Sequence, residues 1–225
     1  MNLQKERLKN LGMAILIIIL FFVWPYFSNS LIGLLNLSET STLYLKFFSN
    51  FVFMFLLIAL YYDDLRNDLL KYKKNFKSYF KTALFSLLVG LGIMIVCKVI
   101  LHAIWPNFTI VNDSVIKEGF NKNAFLYVLM TILYYPITEE LVFKKNLKKI
   151  FSSKWQFILI TSFINVFFTI ALTAENSLSY LGIIPLLALN SSFSYAYYKT
   201  NNITVSISMR ILYNLIPTLG FLLGL

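Results

Sequence analysis

The 225-residue chain has one cysteine, one histidine and few charged residues, and each shortage excludes a class of protein. Cys97 has no second cysteine to pair with, so an internal disulfide framework and a CxxC metal or redox motif are both excluded. His102 is the single histidine, which excludes any site that needs two imidazoles from one chain. Charged residues make up 13% of the chain, well below the share in a soluble domain, so an ordinary cytosolic enzyme is excluded.

Long apolar runs fill the chain instead. Hydrophobic residues make up 58% of it, and several runs reach the roughly 20 residues that cross a bilayer. We predict an all-α integral membrane protein: one polytopic helical bundle, residues 1–225, of about seven transmembrane helices. The predicted spans are Leu11–Phe27 (or as far as Leu37), Leu43–Tyr62, Thr82–Trp105, Ala124–Phe143, Trp155–Ala174, Tyr180–Tyr198 and Ile203–Leu225. The first is expected to be a retained anchor, because its last residues, Trp24 to Phe27, are bulky where a signal peptidase requires small ones.

The basic residues predict the orientation. With seven spans, 15 of the 20 lysines and arginines fall on one side of the membrane. They are Lys5, Arg7, Lys9, Arg66, Lys71, Lys73, Lys74, Lys77, Lys81, Lys144, Lys145, Lys148, Lys149, Lys154 and Lys199. The positive-inside rule then predicts a multi-pass protein of the cell membrane with a cytoplasmic N-terminus and an external C-terminus.

The loop Asp63–Lys81 combines basic residues with apolar residues at helical spacing. The apolar residues are Leu65, Leu69, Tyr72, Phe76 and Tyr79. This pattern predicts an amphipathic helix at the cytoplasmic interface, with its lysines against anionic lipid headgroups. Because the membrane accounts for the positive charge, we expect no nucleic-acid partner.

Polar residues within the spans are expensive in lipid and therefore mark candidate sites. Glu139 and Glu140 are adjacent carboxylates that follow Pro136. They point about 100° apart on a helix, so one of them is expected to face any given cavity. Glu140 and Lys144 are spaced i,i+4 and can pair. Further polar candidates are Asn165, Asn190, Ser191, Ser192, Arg210 and Asn214.

The segment from Pro136 to Lys144 reads PITEELVFK and resembles the EExxxR motif of the CPBP family. These are the type II CAAX prenyl endopeptidases and their bacteriocin-processing and immunity relatives, also called Abi proteins. The resemblance covers residues 123–225 and leaves residues 1–122 as N-terminal spans. It implies a helical membrane fold whose active members combine the glutamates with an FxxxH and an HxxxN or HxxxD motif. In an active enzyme, the implied catalytic residues are Glu139, Glu140 and Asn214, and the site-lining residues are Lys144, Asn165 and Arg210.

The chain departs from this pattern at each motif. Lys144 replaces the motif arginine, and Leu172 replaces the first histidine (Ala171 if the motif is aligned on Phe167). Arg210 replaces the second histidine. By counting helical rise, His102 lies roughly 30 Å from the cytoplasmic start of its span, so it is expected at the opposite face of the bilayer from the glutamates. We therefore expect no metal and no cofactor.

Two expectations concern the buried charges. Arg210 is expected to pair with Glu139 or Glu140, because an unpaired charge inside the bundle is strongly unfavourable. Lys144 is expected at the membrane interface, where water and headgroups can solvate its partner.

Three functions remain open. The first is a CPBP-like protein with a degenerate protease site, which binds or regulates a membrane or envelope partner in a bacteriocin-immunity-like or scaffold role. The second is an active intramembrane endopeptidase that uses the glutamate pair. The third is a small transporter subunit. Whether Glu139, Glu140, Arg210 and Asn214 converge on one cavity decides whether a single site exists.

Overall fold

The computed structural model of the protein describes residues 2–108, 113–173 and 177–223. These residues form helices joined by short connections, and no β-strand occurs among them. The α-helices are α1 (Asn2–Gly33), α2 (Glu39–Leu60), α3 (Tyr62–Lys74), α4 (Phe76–Ile104), α5 (Asp113–Leu129), α6 (Tyr135–Glu140), α7 (Lys154–Thr173), α8 (Ile183–Thr200) and α9 (Ile203–Leu223). Two π-helical turns, Met130–Tyr134 and Leu141–Lys145, precede and follow α6, and a 3₁₀ turn, Ser177–Gly182, precedes α8.

Five stretches of the described helices are long and apolar enough to cross a membrane. They are Leu8–Gly33, Glu39–Leu60, Phe76–Ile104, Phe120–Lys145 and Lys154–Ala171. Each coincides with a predicted span. The other two predicted spans correspond to α8 and α9, which contain polar residues such as Asn190 and Arg210 and are not among these five. The protein is an all-α polytopic membrane protein, as predicted, and its orientation in the membrane stays a prediction.

The predicted amphipathic helix over residues 63–81 is divided in two. α3 ends at Lys74, and α4 begins at Phe76 and continues into a membrane span. Asn75 separates them, and its side-chain amide donates a hydrogen bond to the carbonyl of Lys71 at 3.1 Å. Asparagine competes for backbone hydrogen bonds in this way, which explains the break.

Buried Asp68 fixes α3 against the start of α9. Its carboxylate accepts a hydrogen bond from the backbone N–H of Ile203 at 3.1 Å, and its backbone carbonyl accepts one from the side chain of Asn202 at 2.6 Å. Asn201 adopts the left-handed conformation (φ 46°) that ends α8 and lets the chain turn into α9. The first turn of α9 is thus held by a residue 135 positions earlier.

α4 and α8 pack closely along one face. A Cβ atom added to Gly90 would lie 2.7 Å from Cβ of Ser192, so glycine is required for this approach. Buried Ala83 and Ser86 lie on the same face of α4. Small residues at such spacing allow helices in a membrane to approach closely. α4 is thereby packed against the C-terminal part of the chain.

α1 and α2 are joined to the segment that follows the glutamates. The side-chain amide of Asn146 donates to the carbonyl of Ala14 in α1 at 2.9 Å, and the hydroxyl of Tyr61 donates to Oδ1 of Asn146 at 3.0 Å. Phe143 packs edge-on against Phe21, with ring centroids 5.3 Å apart. These contacts place the N-terminal helices around the region that carries the polar residues.

Candidate functional site

Glu139 and Glu140 are the last two residues of α6, the short α-helical segment between the two π turns. Pro136 lies in the first turn of α6, where a missing backbone N–H is tolerated. A π turn widens the helix and changes the direction of the side chains that follow it, and such turns often occur at functional sites. The π turns therefore orient the side chains of Glu139 and Glu140 differently from those of a regular α-helix.

Glu140 is fully buried, and hydrogen bonds reach both of its carboxylate oxygens. Oε1 accepts from Nε of Arg210 at 2.8 Å and also pairs with Nζ of Lys144. Oε2 accepts from the hydroxyl of Ser206. Its exposed fraction is 0%, so these three donors replace water around the charge.

Glu139 lies at the edge of the same group, with 16% of its side chain exposed. Its Oε2 accepts from Nη1 of Arg210 and from the side-chain amide of Asn165 at 3.2 Å. The expectation that one of the two glutamates would face any given cavity is wrong, because the guanidinium presents several donors in a planar fork. Nε reaches one carboxylate while Nη1 reaches the other.

Arg210 connects α9 to three other helices. Besides the glutamates of α6, its Nη2 donates to Oδ1 of Asn190 in α8 at 2.5 Å and to Oδ1 of Asn165 in α7 at 3.4 Å. Its guanidinium carbon lies 5.5 Å from the ring centroid of Phe193. The predicted pairing of Arg210 with a glutamate is confirmed, and it extends to both.

Lys144 is buried, with 0% exposure, so its expected place at the membrane interface is wrong. Its ammonium pairs with Glu140 and lies 5.4 Å from the ring centroid of Phe193. The carboxylate and the ring together replace the water and headgroups that an interfacial lysine would use. Glu139, Glu140, Lys144 and Arg210, called the charge cluster below, carry two negative and two positive charges and are neutral as a group.

Asn214 does not join the charge cluster. Its side-chain amide donates to the carbonyl of Thr131 in the first π turn at 2.7 Å. The structure therefore brings Glu139, Glu140, Lys144, Asn165 and Arg210 together and leaves Asn214 beside a different backbone group.

Ser206 contacts Glu140 although sequence reasoning did not select it. It precedes Arg210 by four residues and so lies on the same face of α9, and that spacing is the signal that could have identified it. Asn190 had been selected as a polar residue of its span, but not as a partner of Arg210.

The side chains that the structure describes at this site do not fit a metal ion. Among the described residues, no three His, Cys, Asp or Glu side chains group together as metal ligands. His102 is exposed near the end of α4, whereas Glu140 is fully buried. The side chain of Leu172, which stands at the first histidine position of the family pattern, lies outside the described residues.

A comparison with protein families matches residues 121–216 to the family described as type II CAAX prenyl endopeptidase Rce1-like. These residues belong to the CPBP family. The match begins within α5, ends within α9 and contains every member of the charge cluster. Searches of curated proteins and of solved structures gave no significant match. The charge cluster thus lies within the matched residues 121–216, called the family region below.

Proposed function

We propose that this CPBP-family membrane protein does not hydrolyse peptides and acts by binding or regulating a membrane or envelope partner, in a bacteriocin-immunity-like or scaffold role. One observation carries the proposal: Arg210, at the position of a family histidine, binds both motif glutamates. In an active family member, the residue at this position is expected to help hold a water molecule. In this chain, Arg210 instead pairs with the two carboxylates that would activate that water.

Glu140 lacks what a general base needs, and Glu139 is engaged at one of its two oxygens. A base must lie within hydrogen-bond reach of a water molecule and must accept its proton. Both oxygens of Glu140 already accept from Lys144, Arg210 or Ser206, and the side chain is fully buried. Glu139 is partly exposed, but Arg210 and Asn165 donate to it. These contacts support a structural role for both glutamates.

The candidate oxyanion donors are engaged as well. Hydrolysis of an amide requires donors directed at the oxygen that becomes negatively charged. Nε, Nη1 and Nη2 of Arg210 donate to side chains of the protein, the amide of Asn165 donates to Glu139, and that of Asn214 donates to Thr131. These contacts orient the donors towards groups of the protein rather than towards a substrate oxygen. This supports a stable, non-catalytic network.

The surface of α3 and of the first turns of α4 supports the membrane part of the proposal. Exposed apolar side chains, Leu69, Leu70, Phe76 and Phe80, accompany the basic residues of this segment. Such a combination fits a bilayer surface that carries anionic headgroups, since apolar side chains enter the interface and lysines contact phosphates. Buried Asp68, on α3 itself, anchors the helix to α9.

A Glu139→Gln variant tests the proposal, because glutamine keeps the size of the side chain but cannot take a proton from water. In proteoliposomes with a fluorogenic farnesylated peptide, we expect wild type and variant to show the same rate as the exposed-lysine control Lys149→Gln and as empty liposomes. In cells, Glu139→Gln at matched abundance should replace the wild type fully. Peptide hydrolysis by the wild type that disappears in Glu139→Gln at unchanged protein level would contradict the proposal and favour the endopeptidase.

A further inference from the structure

A second candidate site lies away from the charge cluster, between the first half of α2 and the segment that follows Asn123. It is an open pocket with two connected parts, an inner one of about 190 Å³ and an outer one of about 300 Å³. Both parts are lined by Leu43, Lys46, Lys122 and Asn123. The pocket lies at the opposite end of α2 from Tyr61, which bonds to Asn146. It shares no residue with the charge cluster.

The two parts differ in polarity. The inner part continues past Phe47, Leu126 and Met130 and is mainly apolar. The outer part is lined by polar side chains, which include Glu39, Thr40 and Thr42. A pocket with one polar and one apolar end fits an amphiphile rather than a water-soluble metabolite.

Lys46 stands where the two parts meet. It lies seven residues after the start of α2, roughly 10 Å along the helix. A lysine within a membrane span is unfavourable unless a counter-charge or the interface solvates it. Among the described residues, no carboxylate forms an ion pair with Lys46. Its positive charge is therefore available to an anion in the pocket.

The rim of the pocket is built from hydrogen bonds within the protein. Asn123 has an extended backbone (φ −166°) that interrupts α5, and its Oδ1 accepts from the backbone N–H of Leu126 at 3.1 Å. Its amide nitrogen lies 3.4 Å from the hydroxyl of Tyr44 in α2. This contact joins the two walls of the pocket, so the pocket exists before any ligand binds.

We propose that this pocket binds an anionic phospholipid, with the phosphate at Lys46 and one acyl chain along the inner part. Lys46 places a positive charge in the pocket, which favours a headgroup with net negative charge over a zwitterionic one. The threonines and the amide of Asn123 can donate hydrogen bonds to phosphate oxygens. The apolar wall of the inner part contacts the acyl chain of the lipid.

Native mass spectrometry in detergent tests the site, with phosphatidylglycerol and phosphatidylcholine as separate probes. Lys46→Gln is compared with the matched control Lys98→Gln. Lys98 is also an exposed lysine within a membrane span, and it lies six residues before the end of α4. Loss of one lysine–phosphate contact should lower the affinity of the first bound phosphatidylglycerol about fivefold for Lys46→Gln. We expect wild-type binding for Lys98→Gln and for Lys46→Arg.

Equal loss in Lys46→Gln and Lys98→Gln would overturn the proposal, because it would indicate general contact of lysines with surrounding lipid. Equal binding of both lipids by the wild type would also overturn it. A phosphatidylglycerol with a photoreactive acyl chain should label the peptide that contains Leu126 and Met130, and labelling confined to other helices would contradict the assigned pocket. The charge cluster takes no part in these readouts, so they are independent of the peptidase test.

Discussion

The N-terminal spans and the family region differ sharply in how much of each helix the protein buries. Within an 18-residue apolar window of each span, 17% of the residues are buried in Leu8–Gly33 and in Glu39–Leu60, and 22% in Phe76–Ile104. The corresponding share is 39% in Phe120–Lys145 and in Lys154–Ala171. The family region therefore forms the core, and the first three spans pack around it with most of their surface directed outward. In such a protein, the same substitution should change stability much more in the family region than in the N-terminal spans.

The two regions also use polar residues differently. In the family region, Glu140, Lys144 and Arg210 bind one another inside the bundle. In the N-terminal spans, Lys46 and Lys98 are exposed. Charge thus organises the interior of one region and lies on the surface of the other. The following predictions test this contrast, beginning with the largest expected effect and ending with the smallest.

Arg210→Ala should destabilise the protein most. It leaves two carboxylates against one lysine and removes partners from Asn165 and Asn190, so we expect a loss of about 3–5 kcal/mol. Lys144→Ala should cost less, because Lys144 pairs with Glu140 alone. Thermal unfolding in detergent measures this, with exposed Lys149→Ala as the control. An unfolding temperature for Arg210→Ala equal to that of Lys149→Ala would show that the cluster contributes nothing to stability.

Removing the charge of Glu140 as well should partly restore the stability that is lost when the charge of Lys144 is removed. Lys144→Met leaves the cluster with a net charge of −1, whereas Lys144→Met combined with Glu140→Gln makes it neutral again. The double variant should therefore be less destabilised than the sum of the single variants, with a coupling of about 1–3 kcal/mol. A double-mutant cycle by chemical unfolding measures it. Strict additivity would mean that the two side chains do not interact.

Leucine truncations compare the two regions directly. Leu141, in the second π turn, is 0% exposed, and Leu88, in α4, is 58% exposed. Leu141→Ala leaves a cavity and should cost about 2–4 kcal/mol. Leu88→Ala should change stability by roughly 0.5 kcal/mol or less, because lipid or detergent fills the space. Similar losses at the two positions would disprove the assignment of core and covering helices.

Asp68→Asn should have the smallest of these effects, about 1 kcal/mol, because it weakens one hydrogen bond at the start of α9 and the contact with Lys145. The measurement is the unfolding temperature, with exposed Asp63→Asn as the matched control. If the two variants have the same stability, α3 is not attached to the core through Asp68.

The sequence predicted the parts of this protein that depend on composition and regular spacing. Long apolar runs gave the helical spans, and the i,i+4 spacing of Glu140 and Lys144 gave one ion pair. The burial of Lys144 and the position of Asn214 were not predictable in the same way. Both depend on π turns, which alter the direction of side chains without a mark in the 3.6-residue pattern.

Asp68 shows a second reason why a contact in the structure was not predicted from the sequence. Among the basic residues of the predicted amphipathic helix, a carboxylate is ordinarily a solvated group. Its role depends on the N–H of Ile203, which approaches only after the chain has crossed the membrane several more times. A contact between residues so far apart in the sequence leaves no local pattern to read.

The charge cluster also constrains how the protein is made. Glu140 and Arg210 are 70 residues apart, so the ribosome synthesises α6 well before α9. At 5–20 residues per second, the glutamates wait on the order of 10 s for their arginine. During that interval Lys144 is the one cation of the cluster already present. A chain that stops before α9 therefore carries two carboxylates against one lysine in its membrane region, and such an unpaired charge is unfavourable there.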